Sequence, residues 1–285
     1  GSDSGSDNNS DSGSDSGSDS VSDSGSDNNS DSGSDNNSDS GSDESDMYDD
    51  CVAELYKIPI QNLFIEKLEG TLEDLIDENI KEEVLLSLMY QVSFALTYLQ
   101  KHYQFTHNDL HINNIMYLKT ENKFLYYKYN NKYFKVPTYG YIFKIIDFGR
   151  AIFRYRNKVF MNDVFSNYGE AGGQYTHPSQ VSFTIEKKEN KINPNYHFDL
   201  CRLSMTILEE LDFQNYSDKI ILFLHGLCKD KEGRSFCEME DDFNLYKSIA
   251  KYACNCLPRE VIMDKIFDKY RVKKNLFPRK SYYTL

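Results

Sequence analysis

The fold of this chain can be predicted from two short blocks, His107-Asn108-Asp109-Leu110-His111-Ile112-Asn113-Asn114 and, after 32 intervening residues, Asp147-Phe148-Gly149. The first block has the form H-x-D-L-x-x-x-N, whose Asp can accept a proton from an incoming hydroxyl and whose Asn can hold a metal ion. The second supplies a carboxylate for a Mg²⁺ ion that bridges nucleotide phosphates. Phosphoryl transfer needs a positioned hydroxyl and cations on the phosphates in a fixed relation. The two blocks together therefore predict that chemistry.

The residues that flank the blocks support this interpretation. Ile115-Met116-Tyr117 follows the first block and Phe143-Lys144-Ile145-Ile146 precedes the second, and both runs are typical of paired β-strands. The alternative, a solvated Asn-rich loop and an unrelated Asp-Phe-Gly, does not explain these apolar flanks. In its blocks and flanks the chain resembles the eukaryotic-type protein kinase family. The resemblance implies an α+β, protein-kinase-like fold, mainly the α-helical large lobe with the last small-lobe strands and the hinge.

The resemblance also implies roles for single residues. Asp109 would orient the substrate hydroxyl and accept its proton, and Asn114 and Asp147 would hold Mg²⁺. ATP and Mg²⁺ are therefore the expected cofactors. His111 is predicted to be catalytic together with Asp109 and Asn114: it could assist at the γ-phosphate, which is the role we favour, or could simply pack. The residues expected around the nucleotide are Ile65 at the gatekeeper position, Glu66 and Leu68 through their backbone, Met116 beneath the adenine, Ile146 and Asp147.

Two features narrow the resemblance. Residues 124–129 and 132–136, separated by Asn130-Asn131, predict a β-hairpin inserted between the two blocks. This insertion and His111, which stands where most protein kinases carry Lys, together resemble the corresponding features of haspin-like kinases. The pattern H-x-D-L-H-x-x-N is also found in small-molecule phosphotransferases related to aminoglycoside and choline kinases, so these enzymes stay an alternative.

Periodicity and capping residues predict the surrounding elements. Apolar residues at i, i+3 and i+4 spacing predict a long core helix over 81–103. Thr71 is expected to cap a short helix with acidic residues in its first turn. A helix is predicted from His197 through Leu211; by resemblance its Asp199 holds the catalytic-loop backbone, and a plain N-terminal helix charge is the alternative. Further strands are predicted over 51–60 and 62–68, and further helices over 217–229, 241–256 and 259–271.

Two positions differ from those of kinases in which the segment after the second block is switched by phosphorylation. His177-Pro178-Ser179 stands where the family has Ala-Pro-Glu, so a Glu that usually ties this loop to the lower helices is missing. Asn108 replaces the Arg that would pair with a loop phosphate. We therefore expect no switching by phosphorylation of this loop.

Residues 1–46 form a low-complexity segment of Ser, Asp, Gly and Asn. They carry 13 of the 45 acidic residues and none of the 32 Lys and Arg, so the net charge of −13 belongs to them and residues 47–285 are formally neutral. With Val21 as its one apolar residue, the segment is expected to be disordered. The predicted kinase-like domain is 47–285, with a partial small lobe at 51–68 and the large lobe at 71–285.

Composition also predicts the surroundings of the protein. Six Cys without a C-x-x-C pair predict reduced thiols in a cytoplasmic or nuclear setting. We expect no membrane partner, because no apolar run approaches membrane-spanning length, and no nucleic-acid partner, because the basic end at 271–280 reads as a short solvated tail. The Ser/Asp repeats and the residue usage suit a protein of a large DNA virus, acting in a host cell, or of a protist with an AT-rich genome. The oligomeric state stays open.

The predicted small lobe is incomplete. No Gly-rich phosphate loop is found in the folded part, and Lys57 lies too close to the hinge to be the strand Lys of a kinase. The chain is interpreted as the C-terminal part of a larger kinase, with a degenerate kinase that serves as a scaffold as the alternative. The retained Asp109, Asn114 and Asp147 favour the first. The predicted function is ATP- and Mg²⁺-dependent phosphorylation of Ser and Thr hydroxyls on protein substrates.

Overall fold

The computed structural model describes residues 64–175, 193–239, 243–278 and 281–285, together with Lys57 and Asn62. The chain divides into two units, and the described fold lies in the second, Leu63–Leu285. The predictions for residues 1–46, for a strand over 51–60 and for His177-Pro178-Ser179 fall outside the described residues.

The described part of the second unit combines α-helices with short strands, which confirms the prediction of a mixed α+β fold. The helices are α1 (Leu72–Asp77), α2 (Glu82–Tyr103), α3 (Phe198–Glu210), α4 (Asp218–Leu227), α5 (Phe243–Tyr252) and α6 (Pro258–Val261). The strands are β1 (Gly70–Thr71), β2 (Ile115–Lys119), β3 (Phe124–Tyr129), β4 (Lys132–Pro137), β5 (Tyr141–Ile145), β6 (Phe153–Tyr155), β7 (Lys158–Phe160), β8 (Arg271–Val272) and β9 (Tyr283–Thr284). None of the described helices is long and apolar enough to cross a membrane.

Helix α2 lies at the centre of the core. Glu82 and Glu83 lie in its first turn and Lys101 lies in its last turn, so charged side chains at both ends interact favourably with the helix dipole. Gln104 stops the helix in the left-handed region, at φ 47°. The helix packs against β4, β5 and α6. Its bounds confirm the prediction of 81–103, and its fully buried apolar side chains are Leu85, Leu88, Met89, Tyr90 and Leu96.

A small antiparallel sheet brings the two sequence blocks together. Its strand order is β1-β2-β5, and Ile115 at the start of β2 pairs with Ile145 at the end of β5. Because β2 begins directly after Asn114 and β5 ends two residues before Asp147, this pairing places the two side chains at the same edge of the sheet. The predicted strand pair is confirmed.

Strands β3 and β4 form the predicted hairpin. Asn130 and Asn131 turn it with φ angles of 45° and 60°, the left-handed conformation that a two-residue turn of this type requires. Alternate residues face the core, and β8 and β9 extend the sheet on either side in the order β8-β4-β3-β9. The buried hairpin residues are Leu125, Tyr127, Phe134 and Val136.

The predicted strand over 62–68 is wrong for the described residues of that stretch. They have no strand conformation, and the side chains of Phe64 and Ile65 are 91% and 67% exposed. A strand needs a neighbour that satisfies its backbone groups. Pairing with β2 begins only at Glu69, whose backbone N–H donates to Tyr117 O at 3.0 Å.

The predicted helix over 259–271 is also wrong, because it is broken into α6 and a 3₁₀ helix at Lys265–Tyr270. Asp264 causes the break. Its carboxylate accepts the backbone N–H of Ile266 at 2.8 Å and caps a new turn instead of continuing the old one. Helices α1, α3, α4 and α5 agree with their predictions within a few residues at each end.

The predicted solvated tail at 271–280 is part of the fold in its described residues. Strand β8 pairs with β4, and the ring of Phe277 contacts the rings of Tyr126 and Tyr133 at centroid distances of 5.7 and 4.9 Å. The exposed edge of the hairpin offers unpaired backbone groups, and the chain end covers them.

Candidate active site

The loop that carries the first block is fixed by helix α3. Asp199, in the first turn of α3, is fully buried and accepts the backbone N–H of His107 at 3.0 Å and that of Asn108 at 2.9 Å. Burial raises the pKa of the Asp199 carboxyl, while His107 and the two backbone N–H groups act against that rise. Asp199 therefore holds the catalytic-loop backbone, as the resemblance implied, and is more than a helix-end charge.

His107 joins the first block to the second. Its Nε2 lies 2.8 Å from Ile146 O, so the ring donates to the backbone directly before Asp147. In return, the backbone N–H of Ile146 donates to Asn114 O at 3.0 Å. The two blocks are thus connected by hydrogen bonds as well as by the pairing of β2 with β5.

Asn114 has its amide group fixed from two sides. Its Nδ2 donates to Asp109 O at 2.8 Å and approaches His111 Nε2 at 3.0 Å. Both contacts use the nitrogen, so the side-chain oxygen Oδ1 is the atom that can bind a cation. A buried amide held in this way presents its oxygen in one orientation.

Asp147 offers the second oxygen ligand. Its side chain is exposed, its backbone is in the left-handed region at φ 57°, and its carboxylate accepts the Gly149 backbone N–H at 3.1 Å. Amide and carboxylate oxygens are ligands that suit Mg²⁺, which usually takes one or two protein ligands in addition to phosphates and water. Among the described residues no group of three or more His, Cys, Asp and Glu could hold a metal ion. The oxygens of Asn114 and Asp147 are of the kind that fits a Mg²⁺ ion shared with nucleotide phosphates.

His111 is half-buried beside the amide of Asn114. Burial lowers the pKa of its imidazole, and the positive charge of Arg202 lowers it further, while Asp109 acts in the opposite direction. The backbone N–H of Asn113 approaches Nδ1 at 3.3 Å, but a neutral imidazole accepts at only one ring nitrogen. The shorter contact, from Asn114 to Nε2, is the one we assign. His111 thus positions a proposed metal ligand.

The Asp109 carboxylate is contacted by two residues that the sequence did not suggest. Tyr246 on α5 donates its hydroxyl to Asp109 Oδ1 at 3.0 Å, and Arg150 Nη1 lies 3.7 Å from the same oxygen. The Asp109 side chain stays 21% exposed, so solvent or a substrate can reach it. Arg150 directly follows the second block and could have been suspected, whereas no local pattern points to Tyr246.

Asn108 connects the catalytic loop to the segment that follows the second block. Its Nδ2 donates to Arg150 O at 3.0 Å, and its Oδ1 accepts the hydroxyl of Tyr175 at 2.9 Å. The residue sits in the left-handed region at φ 65°, where Asn is among the better tolerated residues. A neutral hydrogen bond thus joins the loop to this segment at the position where the family has an Arg.

The residues predicted around the nucleotide fall into two groups. Met116 and Ile146 are half-buried on or next to the β2–β5 pair, close in sequence to Asn114 and Asp147. Ile65 is exposed, Leu68 is half-buried, and Glu66 is exposed with its carboxylate 3.3 Å from Lys144 Nζ on β5. The structure therefore brings the first group to the Asp147 edge of the sheet, while Ile65 and Glu66 lie on an irregular stretch before β1.

Phe148 is 54% exposed, although one side of its ring meets the catalytic loop. Its centroid lies 5.6 Å from that of His107 and 5.9 Å from that of Phe105. The other side borders an apolar groove of about 450 Å³, with α2 and β5 among its walls. The apolar residues of α2 and β5 that line this groove include Val92, Ala95, Leu99, Phe143 and Ile145.

Comparison with known proteins finds weak similarity to kinases. No family model matches the chain. It is 30% identical over 138 residues to a protein of Acanthamoeba polyphaga mimivirus that is named a putative serine/threonine-protein kinase. The matched region covers 40% of this chain and 34% of that protein. It is also 27% identical over 111 residues to the serine/threonine-protein kinase haspin of Bos taurus, and this matched region covers 39% of this chain and 14% of haspin. An uncharacterized protein of Invertebrate iridescent virus 6 is 30% identical over 125 residues, 38% of this chain and 21% of that protein.

The chain therefore spans at most about a third of the length of these curated relatives. The identities are low and partial, and they relate the chain to proteins of a kinase-like family.

Proposed function

We propose that this chain forms the large lobe and hinge of a protein kinase that transfers the γ-phosphoryl group of ATP to Ser and Thr hydroxyls of proteins. The observation that carries the proposal is the double fixation of Asn114, by Asp109 O and by His111, next to Asp147 at the end of the β2–β5 pair. A general-base candidate and two hard oxygen ligands are thus held in one rigid loop system. The kinase names of the mimivirus and bovine relatives agree with this chemistry.

In the proposed reaction Asp109 orients the substrate hydroxyl and accepts its proton. Asn114 Oδ1 and the Asp147 carboxylate would hold Mg²⁺, which would neutralise charge on the phosphates. Asp199 keeps the loop in place, since fixed geometry supplies much of the rate in phosphoryl transfer. Neutral His111 keeps the Asn114 amide oriented and adds no charge to the site.

Nucleotide binding is proposed on the side of β2 and β5. Met116 and Ile146 would contact the base and sugar side of ATP, and the backbone of Glu66 and Leu68 would meet the adenine edge. Small-lobe elements of a complete kinase would cover the exposed side chain of Ile65 and the apolar groove at Phe148.

Replacing Asp109 by Asn tests the proposed chemistry. The change keeps size and shape but removes the proton acceptor, so turnover in the full-length protein should fall at least about a hundredfold, with nucleotide affinity nearly unchanged. Asp218→Asn, at an exposed position on α4, is the matched control and should keep full turnover. Phosphate transfer is followed with labelled ATP on generic protein substrates, an aminoglycoside and choline in parallel. Transfer to a small molecule alone would reassign the substrate class, and no transfer at all would leave a scaffold.

A second measurement tests the metal ligands. Mg²⁺-ATP should raise the melting temperature of the full-length protein, because a ligand that binds only the folded state stabilises it. Asp147→Ala should remove that increase, and Asp163→Ala, an exposed residue of the neighbouring loop, should not. An unchanged response in Asp147→Ala would overturn the metal assignment.

A further inference from the structure

The Asp109 carboxylate is held by a helix that lies far away in the sequence. The Tyr246 hydroxyl on α5 donates to Asp109 Oδ1 at 3.0 Å, across 137 positions of the chain. Arg150 Nη1 approaches the same oxygen at 3.7 Å. Since both contacts are made to Oδ1, the other carboxylate oxygen can accept a hydrogen bond from a substrate hydroxyl.

The Tyr246 ring is itself fixed in place. The guanidinium carbons of Arg150 and Arg202 lie 5.4 and 5.3 Å from its centroid, within the range of cation–π attraction. The rings of Phe198 and Phe243 lie 5.9 and 6.1 Å away. The phenol ring is therefore packed by four side chains, and its hydroxyl meets the Asp109 carboxylate from the direction that this packing sets.

The protonation state of Tyr246 suits a hydrogen-bond donor. Burial raises the pKa of its hydroxyl, and the nearby Asp109 raises it as well, while Arg202 acts in the opposite direction. The phenol thus stays neutral at physiological pH and keeps its proton. A neutral phenol beside a carboxylate donates to it rather than repelling it.

We propose that Tyr246 is a positioning residue for the transfer reaction: its hydroxyl fixes one oxygen of Asp109 so that the other meets the substrate hydroxyl. This inference rests on the proposed function, because it assigns Tyr246 a role through Asp109. A competing explanation is that the Tyr246 hydroxyl occupies the place of the substrate hydroxyl and blocks the base. The two explanations predict opposite changes in turnover.

Tyr246→Phe in the full-length protein is the decisive variant. It keeps the ring and removes the hydroxyl, and with it the hydrogen bond to Asp109 Oδ1. We expect kcat to fall roughly tenfold or more, with KM for ATP changed less than about twofold, because the hydroxyl acts on the base and not on the nucleotide. Tyr252→Phe on the same helix, where the side chain is 45% exposed, is the matched control and should leave both constants unchanged.

The same variant in an Asp109→Asn background separates positioning from a structural effect. If Tyr246 acts through Asp109, the double variant should be no slower than Asp109→Asn alone. An equal fold-loss in both backgrounds, an unchanged kcat, or a raised kcat in Tyr246→Phe would each overturn the inference. Full turnover in Asp109→Asn alone would instead overturn the proposed function, so the two failures can be told apart.

Discussion

Replacing Asp199 by Ala removes the buried acceptor on which the catalytic-loop backbone depends. Two backbone N–H groups, those of His107 and Asn108, would lose a partner at 3.0 and 2.9 Å, and no water reaches a fully buried position without a rearrangement. An unsatisfied buried donor costs about 1–3 kcal/mol, so the two groups together cost about 2–6 kcal/mol. Burial raises the pKa of Asp199, which means that the charged carboxylate is itself penalised in the fold, and its removal offsets part of this loss.

We therefore expect Asp199→Ala to lower the free energy of unfolding by about 2–4 kcal/mol. The assay is urea unfolding at neutral pH, combined with hydrogen exchange at the amides of His107 and Asn108, which should lose their protection. The control is Asp218→Ala, an exposed acidic residue in the first turn of α4, which should cost no more than about 0.5 kcal/mol. If both variants cost the same small amount, Asp199 is only a helix-end charge and the reasoning fails.

Two further predictions concern pH and the acidic segment. Burial lowers the pKa of His197, whose Nδ1 lies 3.1 Å from the backbone N–H of Cys256. The folded state then binds this proton more weakly than the unfolded chain, so the free energy of unfolding should rise with pH and level off above the ordinary His pKa of about 6.5. His197→Gln should reduce the slope of melting temperature against pH between about pH 5 and 7. An unchanged slope would show that the protonation of His197 does not contribute to the pH dependence. Removing residues 1–46, which hold 13 acidic and no basic residues, should change the melting temperature by no more than about 1 °C at physiological salt; a loss of several degrees would show that the boundary at Met47 is wrong.

Much of the local structure could be predicted because neighbouring residues determine it. The apolar period of α2, the Asn130-Asn131 turn and the capping of α1 by Thr71 each depend on contacts within a few positions, and the structure has all three. The capping box of α1, in which Thr71 and Asp74 exchange side-chain to backbone hydrogen bonds, is an interaction over three residues.

Two predictions failed because the element depends on a distant partner. Residues 62–68 have strand-like composition, but their described part has no strand conformation. The chain end at 271–280 has a solvated composition, yet its β8 residues pair with β4, because the hairpin edge offers unpaired groups there. Composition describes what a segment can do, and the available partners decide what it does.

The candidate site divides in the same way. The proposed chemistry could be inferred from the sequence alone, because residue type and spacing point to Asp109 as a proton acceptor and to Asn114 and Asp147 as oxygen ligands. Only the tertiary structure decides how these groups are held, since the contacts of Asp199 with His107 and of Tyr246 with Asp109 join residues 92 and 137 positions apart. Hydrogen bonds of this kind form only after the core around α2 and α3 has brought the two segments together, so no short-range pattern records them.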